Sequence, residues 1–150
     1  MLYIILILAI VGIDQVAKII VQQELFQRSI SIIPGVFNLT YVENRGAAFG
    51  IFQNMQIIFA IIAAAVTIVG LVCIFKKKWG KLVNISICMI IGGAIGNTID
   101  RLKLGYVVDF LDFRFIWNYV FNIADVFVVL GTIILCIMMI KDERKNSKES

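Results

Sequence analysis

Four apolar runs, each close to twenty residues, dominate this 150-residue chain. They extend from about Leu2 to Val21, Ile57 to Phe75, Leu82 to Ile99 and Val120 to Ile140. About 20 predominantly apolar residues in a helix cross the ~30 Å hydrocarbon layer of a bilayer. Hydrophobic residues make up 61% of the chain, against about 45–50% in a soluble domain. The expected fold is an all-α membrane protein, a four-transmembrane-helix bundle forming one domain over residues 1–150. The first run does not read as a cleaved leader. It lacks a charged start, Asp14 and Lys18 interrupt it, and no small-residue cleavage site follows.

The basic residues set an expected orientation. Lys76, Lys77, Lys78 and Lys81 fall between the second and third runs, and Lys141, Arg144, Lys145 and Lys148 follow the fourth. Such clusters mark cytoplasmic loops. Both termini are then cytoplasmic, and the connections over about 23–54 and 101–119 face outward. The tail 141–150 reads as disordered. The basic clusters abut spans instead of forming a folded basic face, so no nucleic-acid partner is expected. Cys73, Cys88 and Cys136 lie inside separate apolar runs and read as small hydrophobes, not as disulfide partners.

The first outward connection is not a plain loop. Ser29–Pro34 and Val36–Val42 are rich in β-branched and aromatic residues, with a Pro34-Gly35 turn between them. A small extracytoplasmic antiparallel sheet is expected there. In the second connection Phe110, Phe113, Phe115, Trp117 and Tyr119 resemble an interfacial aromatic belt in contact with membrane lipids.

Against this apolar background a few polar residues stand out. Asp14 and Lys18 are four apart and share a helix face. They read either as a neutralising pair that snorkels to the interface or as support for a polar site. Asn44-Arg45 precede a run of small residues, and Arg45 offers a planar donor fork. In the stretch Gly92–Arg101, Gly92 and Gly96 permit close helix packing. Gly93, Asn97 and Asp100 fall on one face, and Arg101 is placed to reach another carboxylate or a backbone carbonyl. Asp109 stands in an apolar quartet, and Asn122 and Asp125 fall three apart near the outer start of the last run. Ionisable residues at such depth cost about 2.5–3.5 kcal/mol even on lenient scales and mark functional sites.

The chain has no histidine. That removes zinc sites of the H-E-x-x-H kind and Ser-His dyads. A Ser-Lys pair would depend on Lys18, and Ser29, Ser31 and Ser86 stand in no nucleophile context. What remains is carboxylate chemistry. Two carboxyls that share a site cannot both ionise easily, so one keeps its proton while the other acts as a base toward water. Asp109 and Asp125 are the candidates, and this chemistry implies neither metal nor cofactor. The rival reading is a small proton- or ion-coupled transporter with Asp14, Asp109 and Asp125 as relay sites. Transporters place such acids near the midplane on broken helices, whereas these fall mostly at one edge. A non-catalytic adaptor would leave the polar residues without a purpose.

The order D-Q-V-A-K, N-R-G-A-A-F, G-G-A-I-G-N-T-I-D-R, V-V-D-F and F-N-I-A-D resembles bacterial lipoprotein signal peptidase, or signal peptidase II, over nearly the whole chain. The resemblance implies an intramembrane aspartic endopeptidase of the bacterial cell membrane. Such an enzyme cuts the signal peptide from prolipoproteins just before a diacylglyceryl-modified cysteine, and cyclic peptides such as globomycin inhibit it. The family's catalytic pair corresponds to Asp109 and Asp125. Asp14, Asn44, Arg45, Asn97, Arg101 and Asn122 match its polar supporting shell, with Asp100 in a positioning role. The chain departs from the family in reading Asn118-Tyr119-Val120-Phe121-Asn122 where a proline is usual.

Overall fold

The computed structural model describes residues 1–46, 55–76, 79–114 and 119–149. Four helices are long and apolar enough to cross a membrane: α1 (Leu2–Glu24), α2 (Gln56–Lys76), α3 (Lys81–Leu104) and α4 (Ile123–Glu149). The strands β1 (Ser29–Ile33), β2 (Phe37–Asn44), β3 (Val107–Asp112) and β4 (Val120–Phe121) form one antiparallel sheet in the order β1-β2-β3-β4.

α3 is the centre of the bundle and packs against each of the other three helices. Its glycines make that possible. A Cβ on Gly92 would come within 2.7 Å of Ile10 on α1, and one on Gly93 within 2.4 Å of the Ala124 carbonyl on α4. On Gly96 it would lie 2.6 Å from Asp14 Oδ2. Three glycines on one helix thus admit two neighbouring helices and one carboxylate. Outward faces carry exposed Ile, Leu and Val, including Ile5, Leu8, Ile13, Ile61 and Ile68, as lipid contact requires.

Several boundaries differ from the sequence reading, each for a local reason. Val120 and Phe121 pair with Asp112 and Leu111, so they extend the sheet and α4 begins only at Ile123. α3 continues to Leu104 and stops at Gly105, whose φ of 78° ends the helix in the left-handed region. The charged tail is helical to Glu149, not disordered, because it prolongs α4 without a break. The hairpin expected over 29–42 is present, but the sheet has two further strands. β3 was hidden because Val107–Asp112 is buried on both faces and shows little alternation.

The aromatic stretch also differs. Phe110 is only 4% exposed and packs with Val21, Leu25 and Val108 in the core between α1 and the sheet. Phe113 lies between Phe37 and Phe121, at centroid distances of 4.5 and 5.6 Å. Phe115 and Trp117 lie outside the described residues, as does the run Ala47–Gly50. Cys88 is buried in the core with Ile7, Ile74 and Ile91, and all three cysteines are free.

Candidate active site

The start of α4 organises the site. Asn122 sits immediately before Ile123, and its Oδ1 accepts the Asp125 N–H at 3.0 Å. Asp125 Oδ2 in turn accepts the Asn122 N–H at 3.2 Å. This reciprocal capping box satisfies backbone donors that a helix N-terminus leaves open. The Asn122 side-chain amide is still free to donate elsewhere. Its Nδ2 lies 2.7 Å from Asp109 Oδ1 and 3.0 Å from Asn97 Oδ1. One residue therefore contacts both Asp109 and Asp125.

Each acid has a second support. Asn44, at the end of β2, donates from Nδ2 to Asp109 Oδ2 at 2.9 Å, and its own Oδ1 accepts the Gly46 N–H at 3.0 Å. Asn97, on α3, donates to Asp125 Oδ1 at 2.7 Å. Asp109 is 1% exposed, while Asp125 is only half-buried. Burial first, and then the neighbouring Asp125 charge, push the Asp109 carboxyl up to about 7, against the opposing hydrogen bonds from Asn44 and Asn122. Near neutral pH Asp109 is thus poised between its acid and its base form.

Beneath the pair lies a buried ionic cluster. Lys18 Nζ is 2.9 Å from Asp14 Oδ2, from Asp100 Oδ2 and from Asn97 Oδ1, so its three donors are all used. Asp14 and Lys18 are 0% and 2% exposed, which excludes snorkelling. Asp14 Oδ1 accepts the Ala124 N–H at 2.9 Å, and Asp100 Oδ2 accepts the Val108 N–H at 3.1 Å. These two carboxylates fasten the start of α4 and the start of β3 to α1 and α3. A buried ion pair is costly unless all its members are bonded, and here each is.

Gln15 was not singled out from the sequence. Its Nε2 donates to Asp100 Oδ1 at 2.9 Å and to the Gly96 carbonyl at 3.2 Å, bracing α1 on α3. The available signal was an amide in the middle of an apolar span. Arg101 reaches a backbone carbonyl, as its sequence reading allows, and Arg45 reaches a carboxylate outside the acid pair. Arg101 Nη1 donates to the Asn97 carbonyl at 3.3 Å, with its guanidinium 4.9 Å from the Phe59 ring centre. Arg45 turns away from the acids and pairs with Glu43 at 3.0 Å over the Tyr106 ring. Lys18 is bonded to Asp14, Asp100 and Asn97, and Ser86 donates to the Val83 carbonyl, so no Ser-Lys pair forms among the described residues.

Fold and site together define a multi-pass membrane protein with a buried carboxylate-and-amide centre at one end of its bundle. Residues 6–141 match the family model described as signal peptidase (SPase) II. The lipoprotein signal peptidase of Clostridioides difficile (strain 630) is 54% identical over 97% of this chain and 99% of its own length. That of Caldanaerobacter subterraneus is 47% identical over 91% and 94%. A bacterial membrane enzyme solved at 2.3 Å by the in meso method superposes with a TM-score of 0.87 at 33% identity, covering 94% of this chain and 88% of its own. The chain belongs to the signal peptidase II family and is a protease.

Proposed function

We propose that the protein is an aspartic endopeptidase that removes the signal peptide from diacylglyceryl-modified prolipoproteins, cutting before the lipid-bearing cysteine. Its relatives carry the name lipoprotein signal peptidase. The observation that carries the aspartic reading is the convergence of both acids on Asn122, by 2.7 Å from its side chain and 3.2 Å from its backbone. Asp109, near its titration point at neutral pH, keeps a proton and donates it toward the scissile carbonyl. Asp125, held by Asn97 and the Asn122 N–H, is the base that takes a proton from water. Proton exchange between the two then delivers a proton to the leaving amine. The positive charges of Lys18 and Arg101 keep the pair from losing all its negative charge.

The orientation follows from the basic residues between α2 and α3 and along the end of α4, which belong in the cytoplasm. The acids and the sheet then face outward, where a lipid-modified cysteine is presented. Substrate enters sideways from the bilayer. A globomycin-like cyclic peptide binds at the same outward-facing acids.

The test is cleavage of a purified prolipoprotein in detergent by Asp109→Asn and Asp125→Asn. Each is expected to lose at least about 10³-fold in kcat, as for removal of an essential general acid or base, while remaining folded. Full activity in either variant would remove the proposal.

A further inference from the structure

On the side of β2 opposite Asn44, four side chains close a ring. Tyr41 Oη donates to Glu43 Oε1 at 3.3 Å, and Glu43 Oε2 accepts from Arg45 Nη2 at 3.0 Å. The Arg45 guanidinium lies 5.6 Å from the Tyr106 ring centre, and Tyr106 Oη is 3.1 Å from Tyr41 Oη. Successive strand residues point to opposite faces, so Glu43 and Arg45 leave one side of β2 while Asn44 leaves the other. The register pairs Asn44 with Val107 and Val42 with Asp109. Arg45 and Tyr106 are thus the next pair beyond the last ladder position, where β2 and β3 would otherwise splay. Asn44 is that last position, and its amide is the only contact β2 makes to Asp109 among the described side-chain hydrogen bonds.

We propose that the Tyr41–Glu43–Arg45–Tyr106 ring is a positioning device that clamps the end of β2 on β3 and so holds the Asn44 amide on Asp109. The inference rests on the reading of Asp109 as a reacting acid. None of the four ring members touches Asp109 in the described contacts; they act through the strand. The hydrogen bond from Arg45 holds the Glu43 carboxyl below its ordinary range, and burial keeps the Tyr41 hydroxyl protonated well above its own. The ring therefore stays closed across the neutral range. Around Asp109 the other charged groups are Asp125 on α4 and Lys18 on α1, with Arg101 on α3 near both acids. None of these belongs to the ring, so its effect on Asp109 can be separated from theirs.

The experiment measures two things in the full-length protein in detergent: kcat with a lipid-modified precursor, and the titration midpoint of Asp109 by ¹³C NMR of its carboxyl. Glu43→Ala and Tyr106→Ala are each expected to lower kcat about tenfold and to move the Asp109 midpoint upward, because the Asn44 bond favours the ionised form. Tyr106→Phe keeps the aromatic face under Arg45 but loses the hydroxyl contact with Tyr41, and is expected to fall between the parent and Tyr106→Ala in both. In an Asn44→Ala background, Glu43→Ala moves the midpoint no further. A parental midpoint and kcat in both alanine variants would overturn the proposal, as would a shift that persists without Asn44. The midpoint is readable in an inactive protein. If Asp109→Asn still cleaves precursor, the dyad has failed; if it is inactive while Glu43→Ala matches the parent, only the ring has.

Discussion

Asp14 Oδ1 holds the backbone N–H of Ala124 at 2.9 Å, joining positions 110 residues apart. Asp14 lies ten residues before the end of α1, about 15 Å along its axis. The start of α4 therefore meets the middle of α1, not its rim. Ala124 is next to Asp125, so this bond sets the depth of the Asp125 carboxyl. The same carboxylate also bonds Lys18, and the void left by Gly96 receives it.

Asn122 has two separable jobs. Asn122→Asp keeps a side chain that caps the helix as well as asparagine does, but loses the amide that donates to Asp109 and Asn97. We expect a kcat at least about 10²-fold lower, and a melting temperature that falls as pH rises because the new buried carboxyl faces Asp109 and the Asn97 oxygen. Asn122→Ala loses both and should also cost about 1 kcal/mol of stability. Calorimetry in detergent beside a cleavage assay distinguishes the two variants.

Lys18 neutralises two buried acids at once. Lys18→Met leaves Asp14 and Asp100 uncompensated and is expected to destabilise by about 3–5 kcal/mol. Adding Asp100→Asn should recover part of that loss, which a double-mutant cycle on chemical unfolding would read as non-additivity. Additive losses would show that the three groups do not act together.

The Asp109 carboxyl, raised to about 7 mainly by burial, sets a pH dependence. Below that value Asp109 keeps its proton, and above it the pair loses it. Cleavage should therefore decline as pH rises through about 7. The sign for stability is the same. A carboxyl with a raised folded-state pKa contributes fully below the ordinary carboxylate range, and that contribution is lost as pH rises through about 7. Asp109→Asn should flatten the dependence and be at least as stable as the parent at pH 8, measured by thermal unfolding across pH.

Glycines of α3 differ from those elsewhere. Gly93→Ala forces a methyl against the Ala124 carbonyl at 2.4 Å and Val128 at 2.7 Å, whereas Gly12→Ala meets nothing within 4 Å. Gly93→Ala should cost about 1–3 kcal/mol and lower activity by shifting the start of α4. Gly12→Ala, in open space on α1, should gain up to about 1 kcal/mol from helix propensity. Parallel melting curves check the difference.

The four helices were legible because a bilayer solvent demands length and continuous apolarity, and both are local properties of a chain. The polar residues of the site were legible for the same reason: each stands against an apolar background that gives it no cheap alternative. β3 was not, since a strand buried on both faces loses its alternation, and β4 was not, since its two residues are too few to show any. The role of Gln15 was hidden because an amide gives no hint of which neighbours it will find. The ring around Tyr106 joins residues up to 65 positions apart.

Span number, expected topology and the exclusion of histidine-based chemistry were set by the sequence alone, because hydropathy, charge bias and the lack of histidine need no partner to be read. Tertiary structure decided which residues meet: Asn122 with both Asp109 and Asp125, Lys18 with Asp14 and Asp100, and Arg45 with Glu43 and Tyr106 instead of the acids. Hydrogen bonds act over about 3 Å, and only packing at the glycines of α3 and the register of β2 on β3 brings distant positions that close.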